Sequence, residues 1–372
     1  MLVAMIAGFK ASVQNELNAM FAHLANQADL VRVASAQAFS KARRQFSHQA
    51  FAHLNDRLLA LVAEDGRVPR WHGLRVVAAD ASKMRLFLQD ATRRCVREAI
   101  AFALYLPGLE MTLAGALYSP SVGERQMLFE HLDGLDASDL LVLDQGYPAR
   151  WLIALLTQRA IPFCMRVDET GFAEVKAFLR SDDMERIVRV RPPNRPDCAD
   201  YECERLPTPV RLVRVVTPNG RVHVVMTSLL DGVAYPAVDF AVLYHSRWRI
   251  EEAFKRLKHR LALENTSGLS WLAAQQDFGA KLLADNLHAL AVWEAADHSD
   301  IPADYKINRT YAFAHLKRCL PRWLLIAVPG IEHLLAAISE LPRNLIRFKP
   351  GATKPRPIHP KPHRKHAYKS TC

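Results

Sequence analysis

The chain has 372 residues, of which 50% are hydrophobic and 23% charged, and this composition is typical of a globular protein with two or three structural units. No stretch approaches the roughly 20 consecutive apolar residues of a membrane span, so we expect a cytoplasmic protein without membrane contact. The formal net charge of +11 favours a polyanionic partner.

Residues 1–68 have the pattern of a helical region. Apolar residues recur at helical spacing in 13–24 and 48–62, and no proline precedes Pro69. Between these segments lies a cluster of three cations: Lys41, Arg43 and Arg44. Taken alone, such a cluster is more often a solvated helix face than a binding site.

Strands and helices alternate in residues 69–167. The apolar runs 74–80 and 140–146 each place an aspartate, Asp80 or Asp144, at the carboxyl end of a predicted buried strand. Ligands of open α/β sheets bind at that end. An aspartate there also starts turns or caps helices, so neither strand is strong evidence by itself.

The other patterns of this region predict strands at 84–88, 99–106, 111–120 and 161–167. Helices are predicted to begin after Pro120 and near Pro148. This order predicts a sheet with three early antiparallel strands, followed by parallel strands that helices connect.

Residues 168–235 change to short β-rich runs, separated by a proline-rich segment and a predicted hairpin turn at Asn219 and Gly220. They predict a β-rich insertion in the α/β core. Its arginines are candidates for contacts with a DNA backbone: Arg189, Arg191, Arg211, Arg214 and Arg221. The alternative is a charged sheet that faces solvent on both sides.

Residues 244–263 predict one amphipathic helix, since they contain neither glycine nor proline. Beside its apolar face lies an edge that carries one carboxylate among cations and a tyrosine: Tyr244, Arg247, Glu251, Lys255 and Lys258. This helix alone is equally well explained as a surface helix in which Glu251 pairs with Lys255. A metal site needs further carboxylates, and the two aspartate-bearing strands provide them.

The three acids and the residues around them resemble the DDE transposases of bacterial insertion sequences, which have an RNase H-like catalytic core. The signature Tyr-x2-Arg-x3-Glu-x6-Lys of one branch is complete as Tyr244, Arg247, Glu251 and Lys258. The family's DxGY and TSLLD motifs match 144–147 and 227–231. The resemblance covers roughly residues 71–290.

The resemblance implies an RNase H-like core in two parts, 69–167 and 236–290, with the β-rich insertion between them. Residues 1–68 would be a helical DNA-binding region, in which Lys41, Arg43 and Arg44 contact the element's ends. Residues 291–340 would be helical.

The resemblance also implies roles for single residues. Asp80, Asp144 and Glu251 would hold two Mg²⁺ ions, which Mn²⁺ could replace, for cleavage of phosphodiester bonds. Further DNA contacts are expected from the cationic edge and from residues at matching family positions: Tyr244, Arg247, Lys255, Lys258, Arg166 and His223.

Three positions depart from the family pattern. Ala81 stands where the family usually has glycine, Gln145 where it has arginine, and His223 where some members have an aromatic residue that stacks on a displaced base. None of the three positions holds one of the three acids. The departures therefore concern turn shape and DNA contacts.

Residues 341–372 are predicted to be an extended, disordered basic arm, with nine Lys or Arg, no acid and six prolines. Such a composition cannot bury a core. The six cysteines have no spacing typical of a metal site, and we expect free thiols.

The sequence thus predicts a cut-and-paste transposase that acts as a homodimer on double-stranded DNA. Two alternatives remain open at this point. One is a metal-dependent nuclease without strand transfer, and the other is a DNA-binding protein that derives from a transposase and has lost catalysis.

Overall fold

The computed structural model describes residues 1–9, 11–27, 29–89, 94–216 and 222–347. The predicted turn at 219–220 and most of the basic arm lie outside the described residues. The chain divides into two compact units, which we call the sheet unit and the helical unit. The sheet unit comprises Leu59–Lys83 and Ile100–Phe254, and the helical unit comprises Met1–Leu58, Met84–Ala99 and Lys255–Cys372.

Eight strands form one sheet, in the order β3-β2-β1-β4-β5-β8-β7-β6. Their bounds are β1 Arg75–Gln89, β2 Arg94–Leu106, β3 Met111–Tyr118, β4 Asp139–Leu143, β5 Phe163–Val167, β6 Glu185–Val190, β7 Thr208–Val216 and β8 Val222–Thr227. β1, β4 and β5 are parallel, whereas β2 with β3 and the run from β5 through β8 and β7 to β6 are antiparallel. The predicted α/β class is confirmed.

Thirteen α-helices lie in the described residues. Their bounds are α1 Leu2–Ala7, α2 Val13–Leu24, α3 Ala36–Arg44, α4 Gln49–Glu64, α5 Glu124–Phe129, α6 Arg150–Gln158, α7 Ala173–Leu179, α8 Arg195–Asp200, α9 Phe240–Ser246, α10 Trp248–His259, α11 Trp271–Asp297, α12 Arg309–Leu325 and α13 Ala327–Glu340. None of the described helices is long and apolar enough to cross a bilayer.

Asp80 lies inside a long strand, and not at a strand end as the sequence predicted. β1 continues through the segment predicted as a separate strand at 84–88, because residues 81–83 contain no glycine or proline that would break it. The parallel pairing of β1 with β4 ends where Ala78 faces Val142. Asp80 is therefore two residues beyond the last paired position.

The β-rich segment extends the main sheet. β8 pairs with the edge of β5, with Cys164 opposite Thr227. Side chains of β7 and β8, such as Val213 and Val225, share one apolar core with Leu140 of β4. Backbone hydrogen bonds to the edge of β5 thus set the position of this segment.

Two of the arginines in this segment have structural partners. Arg211 is buried and forms an ion pair with Glu185 on the neighbouring strand. Arg214 donates hydrogen bonds to the carbonyls of Phe178, Ser181 and Asp183. These contacts argue against the DNA contacts predicted for both arginines.

The helix predicted at 244–263 is interrupted at Arg247, which lies between α9 and α10. The amide of Arg247 donates to the carbonyl of Tyr244, and the amide of Ile250 donates to that of Arg247, so both bonds span three residues. Such bonds tighten the turn relative to an α-helix. α10 ends at His259, and Ala262 has a positive φ of 48°.

The helical unit is built around α11, whose apolar residues are spread over its whole circumference. A helix of that kind must be buried on all sides, and its polar groups need partners within the protein. Asn286 accordingly donates a hydrogen bond to the side-chain oxygen of Asn55, and Lys281 donates to the carbonyls of Ala262 and Asn265. β9 (Tyr305–Ile307) and β10 (Leu345–Arg347) form a small antiparallel pair.

The five cysteines in the described residues are free thiols: Cys95, Cys164, Cys198, Cys203 and Cys319. This agrees with the expectation from sequence.

Candidate functional site: an acidic cluster around Arg247

The parallel strands β1 and β4 bring two aspartates together. If their register is continued by two residues, Asp80 stands opposite Asp144. Each carboxylate accepts a hydrogen bond from the amide of the next residue, Ala81 at 2.9 Å and Gln145 at 2.7 Å. These hydrogen bonds therefore fix the orientation of both side chains.

Glu251 on α10 is joined to the aspartates through Arg247. Nη2 of Arg247 lies 3.2 Å from Oε1 of Glu251 and 4.0 Å from Oδ2 of Asp144. Arg247 is only 3% exposed. The break between α9 and α10 thus places a buried cation between two of the three predicted catalytic acids.

Tyr244 completes this arrangement from α9. Its hydroxyl donates a hydrogen bond of 3.2 Å to Oδ1 of Asp144, and its ring lies under the guanidinium of Arg247. Burial raises the pKa of Tyr244, while the positive charges of Arg247 and Arg166 act in the opposite direction. Arg166 on β5 therefore lies within electrostatic reach of the cluster.

Burial dominates the electrostatics of Asp80. It raises the pKa of this carboxyl group to about 6, against the lowering effects of the Ala81 amide and the Arg247 charge, and the charge of Glu251 raises it further. Burial therefore disfavours the ionised form of Asp80 that is present near neutral pH. A nearby cation would stabilise that form.

The remaining predicted DNA contacts lie on several elements. Lys255 is exposed on α10, and Lys258 is half-buried there. Burial lowers the pKa of Lys258, and the charge of Glu264 acts against that shift. His223 is half-buried on β8, opposite Val215 of β7.

The three cations of the cluster on α3 differ in their exposure to solvent. Lys41 and Arg44 are exposed, whereas Arg43 is 4% exposed. The Arg43 guanidinium donates hydrogen bonds to partners in the helical unit: Ser267, Ala273, Gln276 and Asp277. Arg43 is occupied by these contacts, which argues against the DNA contact predicted for it.

Two residues near the aspartates were not singled out by the sequence as site residues. Glu124 begins α5, and its Oε2 would lie 3.8 Å from a Cβ placed on Gly146. The Tyr147 hydroxyl is buried without a hydrogen-bond partner among the described residues, and the charges of Glu124 and Asp80 reach it. The DxGY motif pointed to Tyr147, whereas no local pattern marks Glu124.

The donor set of the cluster has the chemistry of a divalent-metal site, since carboxylate oxygens are the ligands that Mg²⁺ and Mn²⁺ prefer. Within the part of the chain that the structure describes, no three His, Cys, Asp or Glu side chains are close enough together to hold a metal ion. The guanidinium of Arg247 lies between Asp144 and Glu251.

Comparison with known proteins identifies the family. A model of the transposase DDE domain matches residues 71–287, which is more than half of the chain. No match was found among curated proteins. Among solved structures, the chain is similar to the piggyBac transposase in the cryo-EM structure of its synaptic complex with hairpin DNA, with 11% identity and a TM-score of 0.40.

That similarity covers 75% of this chain and 59% of the piggyBac chain, so this chain spans less than two thirds of the other's length. The assignment therefore rests on the sequence match to the domain model, whose range contains all three predicted catalytic acids. The chain belongs to the transposase DDE domain family.

Proposed function

We propose that this protein is a cut-and-paste DNA transposase that binds the terminal inverted repeats of an insertion sequence and performs metal-dependent cleavage and strand transfer. The observation that carries this proposal is that Asp80, Asp144 and Glu251 surround Arg247, with Tyr244 bonded to Asp144, in a member of this family.

Asp80, Asp144 and Glu251 would hold two Mg²⁺ ions, or Mn²⁺ in their place. When bound, such ions stabilise the charge that grows on the attacking and leaving oxygens of a phosphodiester. The protein needs no nucleophilic side chain, because water or a DNA 3′-hydroxyl attacks the phosphorus.

Arg247 would change partners during the reaction. Its guanidinium now neutralises Glu251 and Asp144, and a DNA phosphate beside the scissile bond also matches its bidentate geometry. Tyr244 would likewise exchange Asp144 for a phosphate oxygen. Lys255 and Lys258 would act as point charges along the same strand.

DNA binding as such is supported by the net charge of +11 and by the exposed cations on α3. Lys41 and Arg44 are our candidates for contacts with the element's ends. Transposition joins two ends, so we expect a homodimer on DNA, which light scattering with and without end DNA would detect.

The test is cleavage and joining of an end-labelled DNA fragment that carries the element's terminus, in Mg²⁺. Ala at Asp80, Asp144 or Glu251 should abolish cleavage while DNA affinity stays largely intact, because each residue acts on the reaction and not on DNA binding. A variant that cleaves at close to the wild-type rate would remove that residue from the site.

The same assay separates the alternatives. Wild-type protein that nicks but never joins DNA would favour a nuclease without strand transfer. Wild-type protein that binds the ends and leaves the DNA intact would favour a DNA-binding protein that has lost catalysis.

A further inference from the structure

A small cavity in the helical unit is lined by three arginines and one acid. Its volume is about 20 Å³, and residues from the end of α10, the middle of α11 and the start of α12 line it. The charged side chains of the lining are Arg256, Arg260, Arg309 and Asp285. The lining therefore carries an excess of two positive charges.

The acid of this lining is already paired. Arg256 donates hydrogen bonds to both carboxylate oxygens of Asp285, from Nε to Oδ1 at 2.8 Å and from Nη2 to Oδ2 at 2.7 Å. Asp285 is only 4% exposed. Such a two-pronged pair is a strong interaction, so the excess charge of the cavity belongs to Arg260 and Arg309.

Arg260 is a half-buried cation among other cations. Its guanidinium forms no hydrogen bond or ion pair with any other residue that the structure describes. Burial lowers the pKa of Arg260, and the charges of Arg256 and Arg309 lower it further, against the effect of Asp285. A bound anion would relieve this repulsion.

His288 supplies an independent sign of a ligand at the same cavity, which it also lines. The side chain is 8% exposed, its Nδ1 donates to the carbonyl of Ala284, and its Nε2 has no hydrogen-bond partner within the described ranges. Buried polar atoms usually have a partner in the protein, in water or in a ligand. A group bound in the cavity can provide it.

We propose that Arg260, Arg309 and His288 form a binding site for one phosphate group, either of a DNA backbone or of free phosphate. A cavity of about 20 Å³ holds one water-sized group. One oxygen of the anion would therefore enter it, and the rest would stay towards solvent beside the half-exposed Arg260. α12 begins at Arg309, and the positive end of a helix dipole favours an anion there.

His288 makes the binding of an anion depend on pH. The charged groups around its ring are Asp285 and Glu294 of its own helix, Arg256 of α10, Arg260 just beyond α10, and Arg309 of α12. Burial lowers the pKa of His288, as do the charges of Arg256 and Arg309, whereas the Ala284 carbonyl and Asp285 act in the opposite direction. Only the protonated ring can donate from Nε2, so a bound anion raises this pKa and its affinity increases as the pH falls.

The test uses sulfate, a tetrahedral dianion that does not titrate near neutral pH, in equilibrium dialysis against the full-length protein at constant ionic strength. Arg260→Gln should weaken binding about ten- to a hundredfold, the loss expected for one charge-assisted hydrogen bond. Binding to wild-type protein should be tighter at about pH 6 than at about pH 8. His288→Phe, which keeps a ring and removes the titrating group, should abolish that difference.

The matched control is Arg318→Ala, which removes an exposed cation from α12 outside the cavity lining. It should leave sulfate binding unchanged. Arg260→Gln should unfold at or above the wild-type temperature in sulfate-free buffer, because Arg260 has repulsive neighbours and no bonded partner to lose among the described residues. Equal sulfate affinity in wild type and Arg260→Gln, or an equal loss in Arg318→Ala, would overturn the site.

Competition identifies the source of the phosphate. If the site holds a DNA backbone phosphate, duplex DNA should displace sulfate, and Arg260→Gln should lower the slope of log DNA affinity against log salt by about 1. If the site holds free phosphate, inorganic phosphate should displace sulfate, while duplex DNA does not and the slope stays unchanged. The site involves none of the residues proposed for catalysis, so a wild-type protein that binds sulfate there but cleaves no DNA would contradict the proposed function alone.

Discussion

Arg247 balances the charge of the acidic cluster. It is buried, its Nη2 contacts Glu251 and Asp144, and its Nε has no hydrogen-bond partner within the part of the chain that the structure describes. A buried cation is stable only when its charge is compensated, and here the compensating groups are acids proposed to bind metal. When metal cations or DNA phosphates bind at the site, the ion pairs of Arg247 must therefore change so that the charges stay balanced.

The first residue-scale prediction concerns the later steps of transposition. Arg247→Ala and Lys258→Ala should slow the steps that follow the first nick, including strand transfer, about ten- to a hundredfold while sparing the first nick more. Each loses a charge-assisted contact of roughly 1.5 to 3 kcal/mol to the strand that is held after the nick. A gel assay that resolves nicked, double-strand-break and joined products measures each step.

The exposed Arg205 provides the control, since Arg205→Ala removes one cation of the sheet unit outside the cluster. Equal loss at every step in Arg247→Ala would contradict a role in holding the cut end.

A second residue-scale prediction concerns Asp80 and pH. The pKa of this group is about 6 in the folded protein and about 4 in an unfolded chain. Below about pH 4, burial of Asp80 therefore does not lower the free energy of unfolding. Between the two pKa values it lowers this free energy progressively, and above about pH 6 it lowers it by the full amount. The full amount corresponds to about 3 kcal/mol.

Asp80→Asn removes this cost. In metal-free buffer it should raise the free energy of unfolding by up to about 3 kcal/mol at pH 8 and leave it nearly unchanged at pH 4. Urea denaturation at both pH values measures the difference. A shift of the same size at both would show that the change acts through packing and not through the charge of Asp80.

At the scale of elements, α3 is predicted to have two separate roles on two faces. Arg43→Ala breaks a buried ion pair with Asp277, so it should lower the free energy of unfolding by about 3 to 5 kcal/mol and leave the DNA affinity of the folded fraction unchanged. Denaturation and DNA binding below the unfolding temperature measure the two effects.

Lys41→Ala and Arg44→Ala should show the reverse. Their side chains are exposed, so stability should hardly change, while each lost phosphate contact should reduce the slope of log affinity against log salt by about 1. Unchanged slopes in both variants would remove α3 from the DNA-binding surface.

The prediction for the whole molecule concerns its charge distribution. Deletion of residues 351–372 removes six of the 49 Lys and Arg residues. Non-specific DNA affinity should fall, and the salt dependence should flatten by up to about five units of slope if every cation neutralises a phosphate. Filter binding over a range of salt concentrations tests this, and the chemistry of cleavage should survive the deletion. A slope equal to that of the full chain would show that the arm does not contact DNA.

The α/β class and the family could be predicted from the sequence, and so could the acids on which we base the site. Apolar runs and helical periodicity involve residues close together in the chain, and these local patterns determine the type of an element before it packs. The Tyr244 to Lys258 signature is of this kind, because its residues are spaced along one amphipathic stretch. Their roles in catalysis stay predictions until the variants are assayed.

Only the tertiary structure decided which polar groups have partners within the protein. Arg43 is hydrogen-bonded to Asp277, 234 positions away in the sequence, and Tyr244 to Asp144, 100 positions away. No local sequence pattern encodes such pairs. Burial and long-range hydrogen bonding depend on how elements pack. For that reason a sequence that marked Arg43 as a DNA contact could not show its burial, and one that marked Asp144 and Tyr244 could not show the hydrogen bond between them.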